Sequence, residues 1–423
     1  MLKSSTQRVL VGYLIAMVLL HAFFAVRSWR DVPIGMPDFT IFYTAGRILQ
    51  LGERNRLYDI DLQRQIQQQI TPASIVKRGT ILPYNHPAFE ALLFVPLAPF
   101  GYTAAYLLWL AINLSVLVSI PYFLSGFLPI LNTIPKILWY LAMLAFFPIF
   151  LALLQGQDSI LLLFLYTIAY VQMRRGRDAL AGGILGLGLF KFHLVLPFVA
   201  SLIFSARKRV LLGFLTVMAV VAAITVWVAG ESGVLAYPGF VWETEHGKNY
   251  AWGSLSNTIN LRGLLYEVFP ARSWQHALSL LIISGCFLGA AAAIWSRARF
   301  LRVQGDKSYF SFDFPFLVSM IATVLVSYHT LVHDWAILFL PVLLLSESLF
   351  SERQELQVAR YFVWVAIGAL YFSPIYLMCA LRYRHLEIVA YPLVFLLLLL
   401  IASALRISPS PGSTHGLTAP TSN

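Results

Sequence analysis

The chain has 423 residues, 59% of them hydrophobic and only 12% Asp, Glu, Lys or Arg. A soluble protein carries about 25% charged residues, so composition excludes a soluble enzyme and makes bilayer thickness the ruler for each element. The formal charge of +11 does not indicate nucleic acid, because much of the excess lies in short clusters beside apolar runs: Arg174, Arg175 and Arg177; Arg207, Lys208 and Arg209; Arg297, Arg299 and Arg302. That is the positive-inside pattern of a polytopic membrane protein.

Val9 to Val26 is the first span, preceded by Lys3 and Arg8. No small-residue cleavage site follows, so an uncleaved anchor is expected. A first outer interval, residues 27–87, comes next. Within it DFTIFYTAGRILQLGERNRLY, Asp38 to Tyr58, has the apolar spacing of an amphipathic helix lying in the membrane interface. A Gln-rich helix is expected around Asp61 to Ile70. HPAFEALLFVPLAPF reads as a short interfacial helix, since Pro96 and Pro99 interrupt any clean span.

Tyr102 to Leu124 crosses, Ile137 to Leu154 crosses back to the turn Gln155-Gly156-Gln157-Asp158, and Ile160 to Met173 returns. Ala179 to Phe190 and Leu194 to Ser205 are each too short for a span of about 20 residues and have basic clusters on both flanks. They predict an in-and-out hairpin with Lys191-Phe192-His193 at its tip. Val210 to Ala229 leads to a second outer interval, residues 230–272, holding Tyr237, Trp242, Tyr250 and Trp252. Trp274 to Trp295 is followed by a hairpin, Phe314 to Tyr328 and Ala336 to Leu349, turning at His329, His333 and Asp334. Tyr361 to Met378 and Ile388 to Leu405 complete about twelve crossings. Residues 1–406 then form one transmembrane domain with cytoplasmic termini, and the Ser/Pro/Thr/Gly-rich tail, residues 407–423, reads as disordered.

On this topology the polar residues gather at one side: Asp38, His86, Gln155, Gln157, Asp158, Lys191, His193, Arg262, His329, His333 and Asp334. Each also has a plainer role open to it. Asp38 is a preferred N-cap residue, with Gly52 as the matching helix stop. Gln157 and Asp158 can cap the next helix, Lys191 can snorkel to headgroups, and His86 can be a turn residue before Pro87. Arg262 can bind lipid phosphate nonspecifically, and the aromatics can form an interfacial belt. His333-Asp334 resembles a metal pair without a third ligand, and Cys286 and Cys379 suggest no disulfide or thiolate site, so no metal site is assigned. Chemically, one carboxylate with nearby cations suits group transfer from a lipid-linked phosphate: the acid takes a proton from an attacking hydroxyl, and the cations stabilise the departing phosphate. One such contact at 4 Å is worth roughly 4 kcal/mol at an effective dielectric of about 20. No Gly-rich nucleotide loop is present.

The order and spacing of several short stretches resemble the GT-C glycosyltransferases, most closely the polyprenol-phosphate-mannose-dependent mannosyltransferases of glycosyltransferase family 87. The matching stretches are Asp38-Phe39 with Tyr43, Ala45-Gly46, Gly52 and Leu57-Tyr58-Asp59; Tyr84 to Pro87 leading into FEALLFVPLAPF; and Trp109 with Asn113. Gly156-Gln157, the RRGRDALAGGILGLGLFK run ending at Lys191, Ser256 to Leu264, and His333-Asp334 before LFLPVLLL continue the series. The resemblance implies an all-α polytopic, GT-C-like membrane fold with interfacial helices in the first outer loop. It also implies an inverting hexosyltransferase that moves a hexose, mannose by family, from polyprenyl phosphate to a hydroxyl on a lipid or glycan acceptor. The family's first-loop acid maps onto Asp38 as base. Lys191, Arg262 and His86 are then expected at the donor phosphate, and Tyr43, Gln157, His333 and Asp334 at the sugar or acceptor. No cofactor beyond the donor substrate is implied, a divalent metal being left open, and the site is expected on the periplasmic or exterior face of the inner (plasma) membrane. Two stretches depart from the family pattern: its Tyr-Pro-Pro is Tyr84-Asn85-His86-Pro87 here, and its Lys-Pro is Lys191-Phe192-His193. A rival reading from the residues alone is a transporter or lipid-handling protein, which predicts polar residues spread through mid-membrane and related halves; neither is visible in the sequence.

Overall fold

In hydrocarbon every backbone N–H and C=O must be satisfied within its own segment, which favours helices. The computed structural model describes residues 4–205, 207–246, 257–269, 273–303, 312–350 and 360–406, and among these no strand occurs. Tyr250, Trp252 and the 407–423 tail lie outside the described residues. Seven helices are long and apolar enough to cross a membrane, or up to nine if two bent pairs each count as one span. The chain is thus an all-α, multi-pass membrane protein.

The bent pairs follow from proline. Lys136–Ala145 and Phe147–Gln155 meet at 69°, and Arg360–Tyr371 and Ser373–Tyr383 at 58°. Pro148 and Pro374 have no N–H to give to the carbonyls four residues earlier, Leu144 and Leu370. Side chains replace the missing donors: His21 Nδ1 lies 2.8 Å from Leu144 O, and Tyr376 donates to Leu370 O at 3.2 Å. His21 Nε2 is also 2.7 Å from Ser373 Oγ, so the first helix ties both bends together.

The count falls short of twelve because two expected crossings are helices of only 16 and 14 residues, Ser159–Arg174 and Asp313–Val326. Their surroundings explain it. Residues 313–325 are all buried, as is the whole of the Val332–Leu349 span. These helices face protein rather than lipid, so bilayer thickness does not set their length. Asp178–Ser201 is long enough to count as one span, yet it folds back on itself. Arg207 Nη1 donates to Asp178 Oδ1 at 2.5 Å and to Met173 O at 3.3 Å. The chain leaving the second half is therefore beside the start of the first. The break is the 3-10 turn Gly188–Lys191, which puts Lys191 at the tip of the hairpin.

Within the first outer interval the helix expected at the interface is packed into the protein instead of lying on its surface. Phe39–Gln50 is helical and amphipathic, but Phe39 to Gly46 and Ile48 are all buried. Gly46 allows this, since a Cβ there would meet Phe94 O at 2.6 Å. Phe94 belongs to the 3-10 helix Ala88–Leu97, whose buried Ala88, Ala91, Phe94 and Leu97 recur every third residue, as a three-residue turn demands.

The Gln-rich helix, Ile60–Ile70, begins at Asp59, whose carboxylate accepts from the amides of Asp61 and Leu62. Its buried Gln63 and Gln67 lie on one face and pin the extended segment that follows. Gln67 donates to Leu82 O (2.6 Å) and accepts from Leu82 N (3.1 Å), while Gln63 accepts from Tyr84 N (2.7 Å). Pro83 lies between them and has no N–H to satisfy. Replacing Gln67 with Ala would orphan two buried backbone groups, each worth roughly 1–3 kcal/mol. Gln67→Ala is therefore expected to lower stability by roughly 2–6 kcal/mol in thermal unfolding of detergent-solubilised protein. Exposed Gln68→Ala on the same helix should leave the midpoint in place, and equal shifts for the two variants would contradict this account.

Candidate active site

The Tyr84–Pro87 stretch is held by three phenols. Tyr237 donates to Asn85 O at 3.0 Å, Tyr58 to His86 O at 2.9 Å, and Tyr84 to Pro87 O at 2.9 Å. This fixes His86 above the 3-10 helix, with its Nδ1 2.8 Å from Glu90 Oε2. Glu90 is the one acid in an otherwise apolar run, and it is wholly buried.

The 155–158 turn approaches from the other side. Gly156 closes the Phe147–Gln155 helix at φ +64°, and a Cβ there would lie 2.8 Å from that of Phe39. Trp109 Nε1 donates to Gly156 O at 2.9 Å and Tyr106 to Leu154 O at 2.9 Å, which fixes the turn against Tyr102–Leu124. Gln155 and Gln157 therefore project at the start of Phe39–Gln50.

Asp38 occupies the N-cap position of that helix but makes no capping bond. Its amide donates to Gln155 Oε1 at 3.1 Å, and its Oδ2 accepts from Gln157 Nε2 at 2.8 Å. The capping role that the sequence left open is thus not taken, and the half-buried carboxylate faces the turn. Asp158 likewise makes no capping bond to the helix it precedes.

Lys191 joins the two halves. Its Nζ is 2.6 Å from Asp334 Oδ1, 3.0 Å from Asp158 Oδ1 and 3.5 Å from Gln157 Oε1. At 2% exposure it does not snorkel. Asp334 is held in turn by the Leu331 amide (2.9 Å) and the Ser159 hydroxyl (3.3 Å). His333 Nε2 lies 3.6 Å from Asp334 Oδ1. Of the residues expected from sequence, Asp38, His86, Gln157, Lys191, His333 and Asp334 therefore meet in one cluster.

Two others stand apart. Tyr43 is buried and its hydroxyl is taken by Phe100 O at 2.5 Å. Arg262, on Leu261–Tyr266, donates to Tyr328 O at 3.2 Å and lies 4.0 Å over the Tyr328 ring. Tyr328 precedes His329, whose ring lies 6.4 Å from that of His193 near the hairpin tip, so Arg262 adjoins the cluster through that turn.

Sequence reasoning missed Arg78 and Glu90. Arg78 ends the short helix Pro72–Arg78, donates from Nη2 to Met36 O, and has a buried Nη1 without a hydrogen-bond partner. Its charge acts on Asp38. An arginine in an outer interval, against the positive-inside bias, was the available signal. For Glu90 it was a carboxylate within an apolar run.

The electrostatics divide the acids. Burial lifts the Asp38 carboxyl above its ordinary value, against the pull of the Gln157 bond, Arg78 and Lys191. Burial, then the Asp158 charge, pushes Glu90 well above the carboxylate range. Burial opposes ionisation of Asp158 too, but Lys191 and a bond from Glu90 hold it below the usual range. Burial pushes the His86 imidazole down to about 4, so it is neutral at pH 7. The arrangement offers one reachable base, Asp38, backed by a fixed ammonium and a guanidinium.

The family model for glycosyltransferase family 87 matches residues 84–327, more than half of the chain. That stretch takes in His86, Glu90, Gln157, Asp158, Lys191 and Arg262, and leaves Asp38, His333 and Asp334 on either side. No curated protein and no solved structure matches the chain. With a model match of that extent, the chain belongs to glycosyltransferase family 87 and is a multi-pass membrane glycosyltransferase that uses a sugar donor and an acceptor.

Proposed function

We propose that this protein transfers a hexose, mannose in the first instance, from a polyprenyl-phosphate donor to a hydroxyl of a lipid or glycan at the outer face of the cell's inner (plasma) membrane. The observation that carries the reading is the Asp38 carboxylate. It sits where a helix cap belongs, is withheld from capping, and is aimed by Gln157 into a cluster that also holds Lys191. In the reaction the acceptor oxygen attacks the anomeric carbon as Asp38 removes its proton. The bond from that carbon to the phosphate oxygen breaks, and polyprenyl phosphate leaves with the electron pair. Attack opposite the leaving group inverts the anomeric centre.

Arg78 and Arg262, with Lys191 behind them, supply positive charge for the departing phosphate. Lys191 already contacts two carboxylates, so it acts by fixing Asp158 and Asp334 as well as through its own charge. His86, neutral, can donate one hydrogen bond to a phosphate or sugar oxygen, and His333 lies close enough to Asp334 to orient a sugar hydroxyl. The basic clusters at Arg174–Arg177 and Arg207–Arg209 lie at the far end of Ser159–Arg174 from Asp158. By the positive-inside bias that end is cytoplasmic, which supports an outward-facing site.

Purified protein incubated with labelled polyprenyl-phosphate mannose and a host lipid extract should yield a hexosylated product by mass analysis. Asp38→Asn should lower turnover by about 10²–10⁴-fold, the usual worth of a general base, with an unchanged gel-filtration profile and melting point. Activity within threefold of the wild type, as a rough bound, would remove Asp38 from the mechanism. A second expectation concerns pH. The base works ionised and its carboxyl is raised by burial, so kcat/KM should fall as pH drops through that raised value. The midpoint of the acid limb should lie above the ordinary Asp value of about 3.9; a midpoint below it would contradict the assignment.

A further inference from the structure

The cluster is short of positive charge. Asp38, Glu90, Asp158 and Asp334 meet only Lys191 and Arg78 among the described residues, four carboxyl groups against two cations. Glu90 and Asp158 are wholly buried and Asp334 is 1% exposed. An unbalanced buried charge costs several kcal/mol, so these carboxyls are balanced either by shared protons or by a bound cation.

The shortage has a definite place. His86, Glu90 and Asp158 each present one ligand atom, and the three atoms lie within 4.8 Å of one another. Both oxygens of Glu90 and both of Asp158 are buried without an aligned hydrogen bond from a neighbouring nitrogen or hydroxyl, the two carboxyls facing each other, although His86 Nδ1 and Lys191 Nζ come within 2.8 and 3.0 Å of one oxygen each. Those contacts are short without the alignment of a hydrogen bond. A separation of 2.8 Å is close to that of two adjacent ligands bound at roughly 2.1 Å to one ion. The ligands are also held in place, His86 by the phenols that fix its backbone and Asp158 by the Gly156 turn.

We infer that His86, Glu90 and Asp158 bind one divalent cation of the Mn2+ or Zn2+ kind, through one imidazole nitrogen and two carboxylates, with its remaining positions open to water or a ligand oxygen. A mixed nitrogen and oxygen set suits these ions better than Ca2+, which takes six or more oxygens. His333-Asp334, the pair that looked metal-like in sequence, is a weaker candidate because among the described residues no third ligand atom joins it at metal-binding reach. A second triad, Glu267, His385 and Glu387, has similar spacing. There His385 lies 3.3 and 2.8 Å from the two glutamates, and both it and Glu267 are solvent-exposed, so an imidazolium and water can offset their charge without a metal. If the donor reading above holds, the ion would add positive charge beside the leaving phosphate. The binding itself does not rest on that reading.

The test uses full-length protein in detergent, treated with EDTA and desalted, with no donor present. Mn2+ is titrated in, and the free ion is followed by its electron paramagnetic resonance signal. One Mn2+ should bind per chain. His86→Ala and Glu90→Gln should each weaken binding by at least about tenfold, the lower bound for disturbing a metal site, whereas His385→Ala should leave it unchanged. His86 is partly exposed, so its truncation is expected to leave the fold in place, and it carries the test if the Glu90 variant does not fold. No bound Mn2+ in the wild type, or equal binding by wild type and His86→Ala, would overturn the site and leave shared protons as the balancing charge. Binding that persists while sugar transfer is absent would sink the donor reading and leave the metal site standing.

Discussion

Lys191 between Asp158 and Asp334 is the contact on which the rest of the site depends. It joins three stretches distant in sequence: the turn after Phe147–Gln155, the tip of the 178–201 hairpin, and the Val332–Leu338 segment. Burying three ions is expensive, and the attraction between them returns that cost only when geometry is good and remaining lone pairs find donors. Here Asp334 receives Lys191, Ser159 and the Leu331 amide. Such a contact is weak evidence for stability. It does specify a single arrangement, because losing one partner strands the others and typically costs about 3–5 kcal/mol. The ammonium also passes its position to Gln157, and Gln157 to Asp38, so the base is aimed by a chain of contacts that starts inside the bundle.

The two ends of the bundle are built differently. At the far end of Ser159–Arg174, about 24 Å away at the helical rise, Arg174 meets Asp313 and Tyr170, and Arg207 meets Asp178. There each carboxylate has its own guanidinium, and rings of Phe127 and Phe312 cover the cations. Each of these two acids is matched by its own cation, as in a structural brace. At the Asp38 end the acids outnumber the cations and Arg78 keeps an unused N–H. That imbalance separates a site prepared for a ligand from one that is already complete.

Much of this was legible in the sequence, for physical reasons that differ by residue. Hydropathy and basic flanks marked the membrane helices and the 178–201 hairpin, because bilayer thickness and charge bias act on every such segment. Asp38, Gln157, Lys191 and Asp334 stood out as polar groups beside apolar runs. Three things were hidden. Ser159–Arg174 and Asp313–Val326 look like short spans, but only their burial shows that protein, not lipid, surrounds them. Phe39–Gln50 reads as an interfacial helix, since its amphipathic pattern does not reveal that the 3-10 helix covers it. The pairing of Gln63 and Gln67 with Leu82 and Tyr84 leaves no local trace, because a glutamine side chain carries no mark of the backbone it will meet. Tyr43 shows the reverse, an attractive sugar ligand whose hydroxyl is taken by a neighbouring carbonyl.

The claim at the centre of this account is that donor sugar and base meet at Asp38. A cryo-electron-microscopy structure of Asp38→Asn protein with a non-hydrolysable polyprenyl-phosphonate hexose would test it most directly. The account predicts the sugar beside residue 38 and Gln157, with the phosphonate toward Arg78 and the Tyr328–His329 turn. Density for the sugar at the Arg174–Asp313 end, or on the lipid-facing surface away from Lys191, would contradict it.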